Sequence, residues 1–180
     1  MPTALVRNGR VVTASESYEA DLYVDGGRIA LVGQGLSLPA DTVIDASGSL
    51  VLPGGIDAHT HLDMPAGEIT SADDFETGTR AAAFGGTTTV IDFATPEPGQ
   101  SLLAAVDTWR RKAEGKAVVD YGFHMALREV GETTLAEMAR LTRDEGVASF
   151  KLYLAYPGVL QVDDAAFFRA LLGARECGAL

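Results

Sequence analysis

Cysteine and basic residues are both scarce in this sequence. Cys177 is the one cysteine among 180 residues, so an internal disulfide is excluded and a cytoplasmic setting is expected. The 14 Lys and Arg residues stand against 25 Asp and Glu residues, for a net charge of −11. Nucleic acids and anionic membranes bind proteins through a basic face, so neither is expected as a partner.

Long apolar runs are missing as well. No segment approaches the ~20 apolar residues that a helix needs to span a bilayer, and no apolar leader follows Met1. Apolar residues nevertheless make up 47% of the chain, which is enough to bury a sizeable core. These features predict a folded cytoplasmic domain that is not embedded in a membrane.

Residues 1–52 have the pattern of a small antiparallel β domain, the N-terminal part of a β-sandwich-type unit. Short runs rich in Val, Ile, Leu and Tyr alternate with turn residues. Asn8-Gly9 is a strong hairpin signal inside the first run, and Asp25-Gly26-Gly27 predicts a turn after the second. The predicted strands are Leu5–Val12, Ala20–Val24, Arg28–Val32 and Thr42–Ile44.

Residues 53–180 alternate strands with helix-length segments, which predicts parallel βα units. Ser101 and Asp163 are expected to be helix N-caps. Four such units make half of an eightfold TIM-like barrel, and a complete four-unit open sheet is the alternative. The predicted strands are Ile56–His61, Thr87–Asp92, Val118–Met125 and Ser149–Tyr153, and the predicted helices are Asp73–Phe84, Ser101–Glu114, Thr134–Glu145 and Asp163–Glu176.

Two of the three histidines, His59 and His61, stand two residues apart at the end of the first of these strands. Residues two apart in a strand share a face, so both imidazoles project together, and Asp57 is expected on the same side. Paired imidazoles suit zinc or another borderline divalent cation. From this motif alone, two ordinary strand histidines remain an alternative.

Lys151 is one of three lysines and lies within the apolar strand Ser149–Tyr153. A buried ammonium is costly, so it must be paired, neutralised or modified, unless it reaches solvent from a strand edge. A neutral amine reacts with carbon dioxide to give a carbamate. The two oxygens of a carbamate can bridge two metal ions, which lie ~3.5–4 Å apart in two-metal sites.

Four segments resemble, in matching order, the dihydropyrimidinase and hydantoinase family of amidohydrolases. They are the first metal-binding strand (Pro53–Pro65), the second barrel strand (Gly85–Phe93), the third (Asp120–Met125) and the carboxylated-lysine strand with its tyrosine loop (Ser149–Tyr156). The resemblance implies a (β/α)8 metal-dependent hydrolase barrel. It also implies hydrolysis of the cyclic amide bond of dihydropyrimidines or 5-substituted hydantoins by a metal-bridging hydroxide.

The same resemblance implies roles for individual residues. His59 and His61 would bind the more buried of two divalent metals, zinc or else manganese or cobalt, and Lys151, carboxylated by carbon dioxide, would bridge both. Tyr156 would bind the substrate carbonyl and stabilise its oxyanion, although a surface turn tyrosine is the alternative. Asp57 would orient a metal-binding histidine, and His124 would have a supporting or core role rather than a ligand role.

Three other readings remain. Dihydroorotases carry, at the position of Asp63, an arginine that binds the substrate carboxylate. Because an aspartate stands there in this chain, an anionic substrate is disfavoured. An allantoinase is harder to separate, and a non-catalytic dihydropyrimidinase-like scaffold or assembly protein would not be expected to keep His59, His61 and Lys151. The family also uses two further histidines and an aspartate from later strands. We therefore expect this chain to be an N-terminal portion, inactive alone, of a homo-oligomeric enzyme.

Overall fold

Residues 2–53 form strands because runs rich in β-branched and aromatic residues alternate with glycine-containing turns. The computed structural model describes residues 2–180, and the chain divides into two units, the first ending at Pro53 and the second running from Gly54 to Leu180. The first unit contains β1 (Thr3–Val12), β2 (Ser17–Asp25), β3 (Arg28–Gly33), β4 (Thr42–Asp45) and β5 (Leu50–Val51). Its assignment to a β-sandwich-type domain stays a prediction.

The sheet of the first unit has the strand order β3-β2-β1-β4, with β5 also paired to β1. The β1–β2 and β2–β3 pairs are antiparallel, as expected, whereas β4 and β5 run parallel to β1. The chain between β3 and β4 passes from one edge of the sheet to the other, and such a crossover permits parallel pairing. The sheet is therefore mixed and not purely antiparallel.

The prediction of a hairpin at Asn8-Gly9 is wrong, because β1 continues through these residues. The pairing of β1 with β2 shifts register between Val6 and Gly9, and Asn8 has a positive φ of 61°. The Asn-Gly pair thus forms a bulge, another structure that uses left-handed backbone. A Cβ on Gly9 would lie 2.6 Å from the Val51 side chain, so close packing of β5 also requires glycine there.

Asp21 holds this bulge and the segment after β3. Its side chain is 4% exposed, and its carboxylate oxygens accept hydrogen bonds of 2.8 Å from the backbone amides of Asn8 and Leu36. These bonds lower the pKa of Asp21. Because the folded-state pKa is lowered, the stabilisation is present above the unfolded pKa of about 3.9 and is lost as pH falls through the folded value.

Asp21→Asn is therefore expected to lower the free energy of unfolding near neutral pH. The amide keeps one acceptor oxygen but turns an NH2 group toward the second backbone donor. The free energy of unfolding, measured in urea, should be lower than that of wild type near neutral pH. This difference should be smaller at about pH 3. Asp25→Asn is the control, because the exposed Asp25 makes no side-chain hydrogen bond within residues 2–180. An equal deficit in both variants at both pH values would contradict this role.

The second unit has the predicted alternation of strands and helices. Four parallel strands form a sheet in the order β11-β10-β9-β6, and a short antiparallel hairpin, β7-β8, was not predicted. No helix in the described part of the chain is long and apolar enough to cross a membrane. The elements are β6 (Gly55–Thr60), β7 (Pro65–Ala66), β8 (Ile69–Thr70), α1 (Phe75–Phe84), β9 (Thr87–Ala94), α2 (Leu102–Ala113), β10 (Asp120–Leu127), α3 (Glu132–Asp144), β11 (Phe150–Leu152) and α4 (Asp164–Cys177).

Helix boundaries follow local capping chemistry. The Ser101 and Asp163 side chains accept backbone hydrogen bonds at the starts of α2 and α4, which confirms both predicted N-caps. Helix α3 begins at Glu132, two residues before its predicted start, because Gly131 takes the N-cap position. Strand β11 is shorter than predicted: Tyr153 makes only an isolated bridge to Gln161 as the chain enters the following loop.

The core of the second unit lies between this sheet and its helices. Helix α2 buries Leu102, Ala105, Val106, Trp109 and Ala113, which recur at helical spacing on one face. Met125 and Leu127 of β10 and Met138 and Leu141 of α3 are fully buried in the same cluster. The polar groups described below are therefore held by a well-packed layer.

Candidate metal centre

Both motif histidines lie at the carboxyl end of β6, His59 within the strand and His61 directly after it, and the strand contains a β-bulge between Asp57 and Thr60. Asp57 pairs with Val90 and Thr60 with Asp92, so three steps along β6 match two along β9. The Asp57 carboxylate accepts a 3.1 Å hydrogen bond from the backbone amide of His59. Bulges commonly re-aim side chains beside functional sites. Asp57 thus contacts the backbone of His59 and not an imidazole ring, and its orienting role stays a prediction.

The structure brings His59, His61 and Lys151 together at the carboxyl ends of their strands. The two imidazole centroids are 5.2 Å apart, and both rings pack on Phe93, at 4.6 Å for His59 and 5.1 Å for His61. The Lys151 Nζ lies 3.4 Å from His59 Nε2 and 4.2 Å from the centre of the Phe93 ring. Lys151 and His59, which are 92 residues apart in the sequence, therefore lie in contact.

This contact also defines the curvature of the sheet. β6 and β11 are its two outer strands, three spacings apart, or ~14 Å in a flat sheet. Side chains from the two strands meet only if the sheet curls toward a barrel. The sheet geometry therefore favours a partial barrel over an open, flat sheet.

His61 has the environment of a metal-binding imidazole. Burial lowers its pKa, the negative charge of Asp92 opposes that shift, and the charges of Lys151 and His59 add to it. Its Nδ1 atom is buried without a hydrogen-bond partner, which is rare for a buried polar atom. A neutral imidazole is the form that coordinates a metal, so the side chain fits a cation ligand.

A cavity of about 630 Å³ opens beside these residues. His61, Lys151, Tyr153 and Tyr156 are among the side chains that line it. Burial raises the pKa of Tyr153, whose ring centroid lies 5.9 Å from that of Tyr156. The cavity therefore places the predicted substrate-binding tyrosine beside the predicted metal ligands.

Tyr156 has a backbone conformation that side chains other than glycine rarely adopt. Its φ is 65°, and its carbonyl accepts hydrogen bonds from the amides of Val159, Leu160 and Gln161. The side chain is 61% exposed. Left-handed non-glycine residues concentrate at functional sites, because the surrounding structure must compensate for the strain. The tight turn thus fixes the direction in which the Tyr156 side chain leaves the backbone.

His124 links the two ligand-bearing segments. Its Nε2 donates a 3.0 Å hydrogen bond to the carbonyl of Ala58, next to His59, and its Nδ1 pairs with the Ser149 hydroxyl, two residues before Lys151. Because a carbonyl only accepts, Nδ1 is left to accept from the hydroxyl. His124 therefore supports the site and its ring nitrogens are already occupied, in keeping with the predicted supporting role.

Two contributing residues, Asp92 and Phe93, received no role from the sequence pattern. Phe93 is the platform on which three histidine rings and the Lys151 ammonium pack. Asp92 is completely buried beside it. A charged residue inside the apolar run Val90–Ala94 was the signal that could have identified this position.

The described residues supply only part of a metal site. No group of three or more His, Cys, Asp or Glu side chains within residues 2–180 could hold a cation. Two imidazoles and one lysine are what the strands bring together. Those donors fit a divalent cation if Lys151 is converted to an anionic carbamate and further ligands are added.

Comparison with known proteins gives a consistent result. The amidohydrolase family model matches residues 50–180. The chain is 51% identical over 178 residues to the D-hydantoinase of Geobacillus stearothermophilus, covering 99% of this chain and 38% of that protein. It is 43% identical over 181 residues to the dihydropyrimidinase of Rattus norvegicus, covering 98% of this chain and 35% of that one. The chain thus spans little more than a third of the length of these relatives.

A crystal structure of a D-hydantoinase matches with a TM-score of 0.95 at 50% identity, covering 98% of this chain and 38% of that one. This likeness confirms the predicted fold class, the first four βα units of a TIM-like barrel after a small β domain. The chain belongs to the amidohydrolase family, and its similarity extends to the dihydropyrimidinase and hydantoinase group within that family.

Proposed function

We propose that this chain supplies the N-terminal share of an active site that hydrolyses cyclic amides, either dihydropyrimidines or 5-substituted hydantoins. The observation that supports the proposal best is that His61, Lys151 and Tyr156 line one cavity, with His59 in contact with both His61 and Lys151. The relatives named D-hydantoinase and dihydropyrimidinase support the same class of substrate. The reaction adds water across the ring C–N bond and yields a carboxylate and a ureido group.

In this proposal His59 and His61 hold the more buried of two divalent cations through their imidazoles. Lys151, as a carbamate, would supply the anionic ligand that the two cations share. When bound, the cations would supply Lewis acidity and would lower the pKa of water toward ~7. We propose zinc as the metal, with manganese or cobalt as alternatives, because imidazole and carbamate donors suit all three.

Tyr156 is the group in this chain that acts on the substrate. Its phenol donates a hydrogen bond to the carbonyl oxygen of the scissile amide and to the negative charge that develops there. A fixed donor is more effective than water, because it is oriented before the reaction begins. The left-handed backbone at Tyr156 and the three amides on its carbonyl support such a fixed position.

Ring opening measured with and without metal tests this function. The protein, expressed as its gene encodes it, should hydrolyse dihydrouracil or hydantoin, lose the activity on removal of metal by a chelator, and regain it with zinc. Residues 1–180 alone should show no ring opening, because their described part supplies two imidazoles and one lysine. Full activity without bound metal, or no turnover of either ring by the metal-loaded protein, would rule the proposal out.

Assembly and location stay predictions. A homo-oligomer is expected from the family resemblance, and a cytoplasmic location is expected from the single cysteine. A small cyclic ureide is the proposed binding partner.

A further inference from the structure

Asp92 is a buried carboxylate that neither the family resemblance nor the proposed reaction uses. Its side chain is fully buried, and no Lys, Arg or His of the described residues forms a salt bridge with it. Burial of a charge without compensation is costly, so its hydrogen bonds must account for its presence. Strand β9 could carry an apolar residue at this position if packing were the only requirement.

Four donors converge on this carboxylate. Oδ2 accepts from the Thr60 hydroxyl at 2.9 Å and from the Leu62 amide at 2.7 Å. Oδ1 accepts from the Trp109 indole at 3.1 Å and from the Phe93 amide at 2.8 Å. Because every partner is a donor, only an acceptor with four sites satisfies them, and an ionised carboxylate has that capacity. Hydrogen bonds to a charged acceptor are also stronger than neutral ones.

Two of these donors lie on either side of His61. Thr60 follows His59 and precedes His61, and Leu62 follows His61, so the Asp92 carboxylate holds the chain at both neighbours of this ligand. Metal coordination tolerates changes of only about 0.2 Å in ligand distance. A strand end that shifts by more than this would no longer present both imidazoles to one cation.

A third donor connects the strand end to the helix layer. Trp109 lies on α2, and Lys112, one turn further along, places its ammonium 4.5 Å from the Trp109 ring. The same ammonium donates to the carbonyl of Asp63 and lies 3.9 Å from the Asp63 carboxylate. Helix α2 therefore contacts the segment around His61 at two points, through Asp92 and through Asp63.

We propose that Asp92 is a positioning residue for the metal-binding strand end. It fixes His59 and His61 through Thr60 and Leu62, and Trp109 ties it to the packed helix α2. This inference rests on the proposed metal-binding function. Partners that orient metal ligands typically change metal affinity by 10–100-fold when they are removed.

Asp92→Asn is the most direct variant, because it keeps the shape but points an NH2 group at two of the four donors. We expect ~10- to 100-fold weaker zinc affinity, measured by competition with a chelator. Thr60→Val and Trp109→Phe each remove one donor while preserving volume or aromatic packing, and each should weaken zinc binding by a smaller factor. These milder variants keep the test valid if Asp92→Asn folds poorly.

Thr79→Val is the matched control. Thr79 is also fully buried, its hydroxyl donates to the Phe75 carbonyl, and it accepts from the Val118 amide at 3.1 Å, away from the metal centre. This variant should lose stability without a comparable loss of zinc affinity. Thermal unfolding of all variants measures their loss of stability, with which the loss of zinc affinity is compared.

Hydrogen exchange of the zinc-free protein gives a second readout. The Leu62 amide donates to Asp92, so its exchange should accelerate in Asp92→Asn but not in Thr79→Val. Unchanged zinc affinity and unchanged Leu62 exchange in Asp92→Asn would overturn the positioning role. A loss of zinc affinity in Thr79→Val as large as that in Asp92→Asn would overturn it too. Wild-type protein that binds no zinc would instead refute the proposed metal site itself.

Discussion

Replacing Lys151 with alanine is expected to remove bound metal and abolish ring opening. An unmodified ammonium at this position would repel a cation, by about 4 kcal/mol per unit charge at ~4 Å and an effective dielectric of ~20. A carbamate instead supplies two anionic oxygens to the site. The Lys151 Nζ atom lies 3.4 Å from His59 Nε2, so these two proposed ligands end at the same place. Zinc content and turnover of dihydrouracil should therefore fall together.

Lys151→Arg distinguishes a carbamate from a simple positive charge. A guanidinium remains protonated and cannot react with carbon dioxide, so this variant should fail as completely as alanine. Small carboxylic acids added to Lys151→Ala should partly restore metal content and activity by replacing the carbamate. Lys116→Ala is the control, since this lysine pairs with Asp74 elsewhere on the unit. Normal metal content and turnover in Lys151→Arg would contradict the bridging role.

Tyr156→Phe is expected to lower kcat by about 10²- to 10³-fold, the usual loss when one oxyanion donor is removed. The phenyl ring preserves the contact with Tyr153 and the backbone turn, so the metal content should not change. KM should change less than kcat, because the hydrogen bond strengthens as charge develops on the carbonyl oxygen. Steady-state kinetics on hydantoin and zinc analysis of the same sample measure both quantities.

Tyr121→Phe is the matched control for this change. Tyr121 lies near the start of β10, its ring packs on Phe75 and Phe123, and it does not line the cavity that holds Lys151. Removing its hydroxyl should leave kcat within a few-fold of wild type. If Tyr156→Phe kept full kcat, the oxyanion role of this tyrosine would have to be abandoned.

The fold of the second unit could be predicted because its sequence signals are local. The helical spacing of Leu102, Val106 and Trp109 fixes the buried face of α2, and Ser101 and Asp163 fix where two helices begin. The first unit was less predictable, since Asn8-Gly9 has the same left-handed preference in a bulge as in a hairpin. Strand pairing decides whether a bulge or a hairpin forms, and the local sequence does not encode that pairing.

The proposed metal ligands could be singled out from residue type and motif, whereas their supporting contacts could not. His59 and His61 stand at the end of one predicted strand, and Lys151 is conspicuous in an apolar one. The hydrogen bonds from Thr60 and Trp109 to Asp92, and from His124 to Ala58, connect separate elements across 17 to 66 residues. Such contacts depend on how strands and helices pack, so they cannot be predicted from the periodicity of the sequence.

Native mass spectrometry of the protein, together with the mass of the Lys151 peptide, tests the central claim most directly. The account predicts two divalent metal ions per chain in the active protein. It also predicts that Lys151 carries the added mass of one carbon dioxide, which is lost on acidification together with both metals. Active protein with unmodified Lys151, or with a metal content that His59, His61 and Lys151 substitutions leave unchanged, would contradict it.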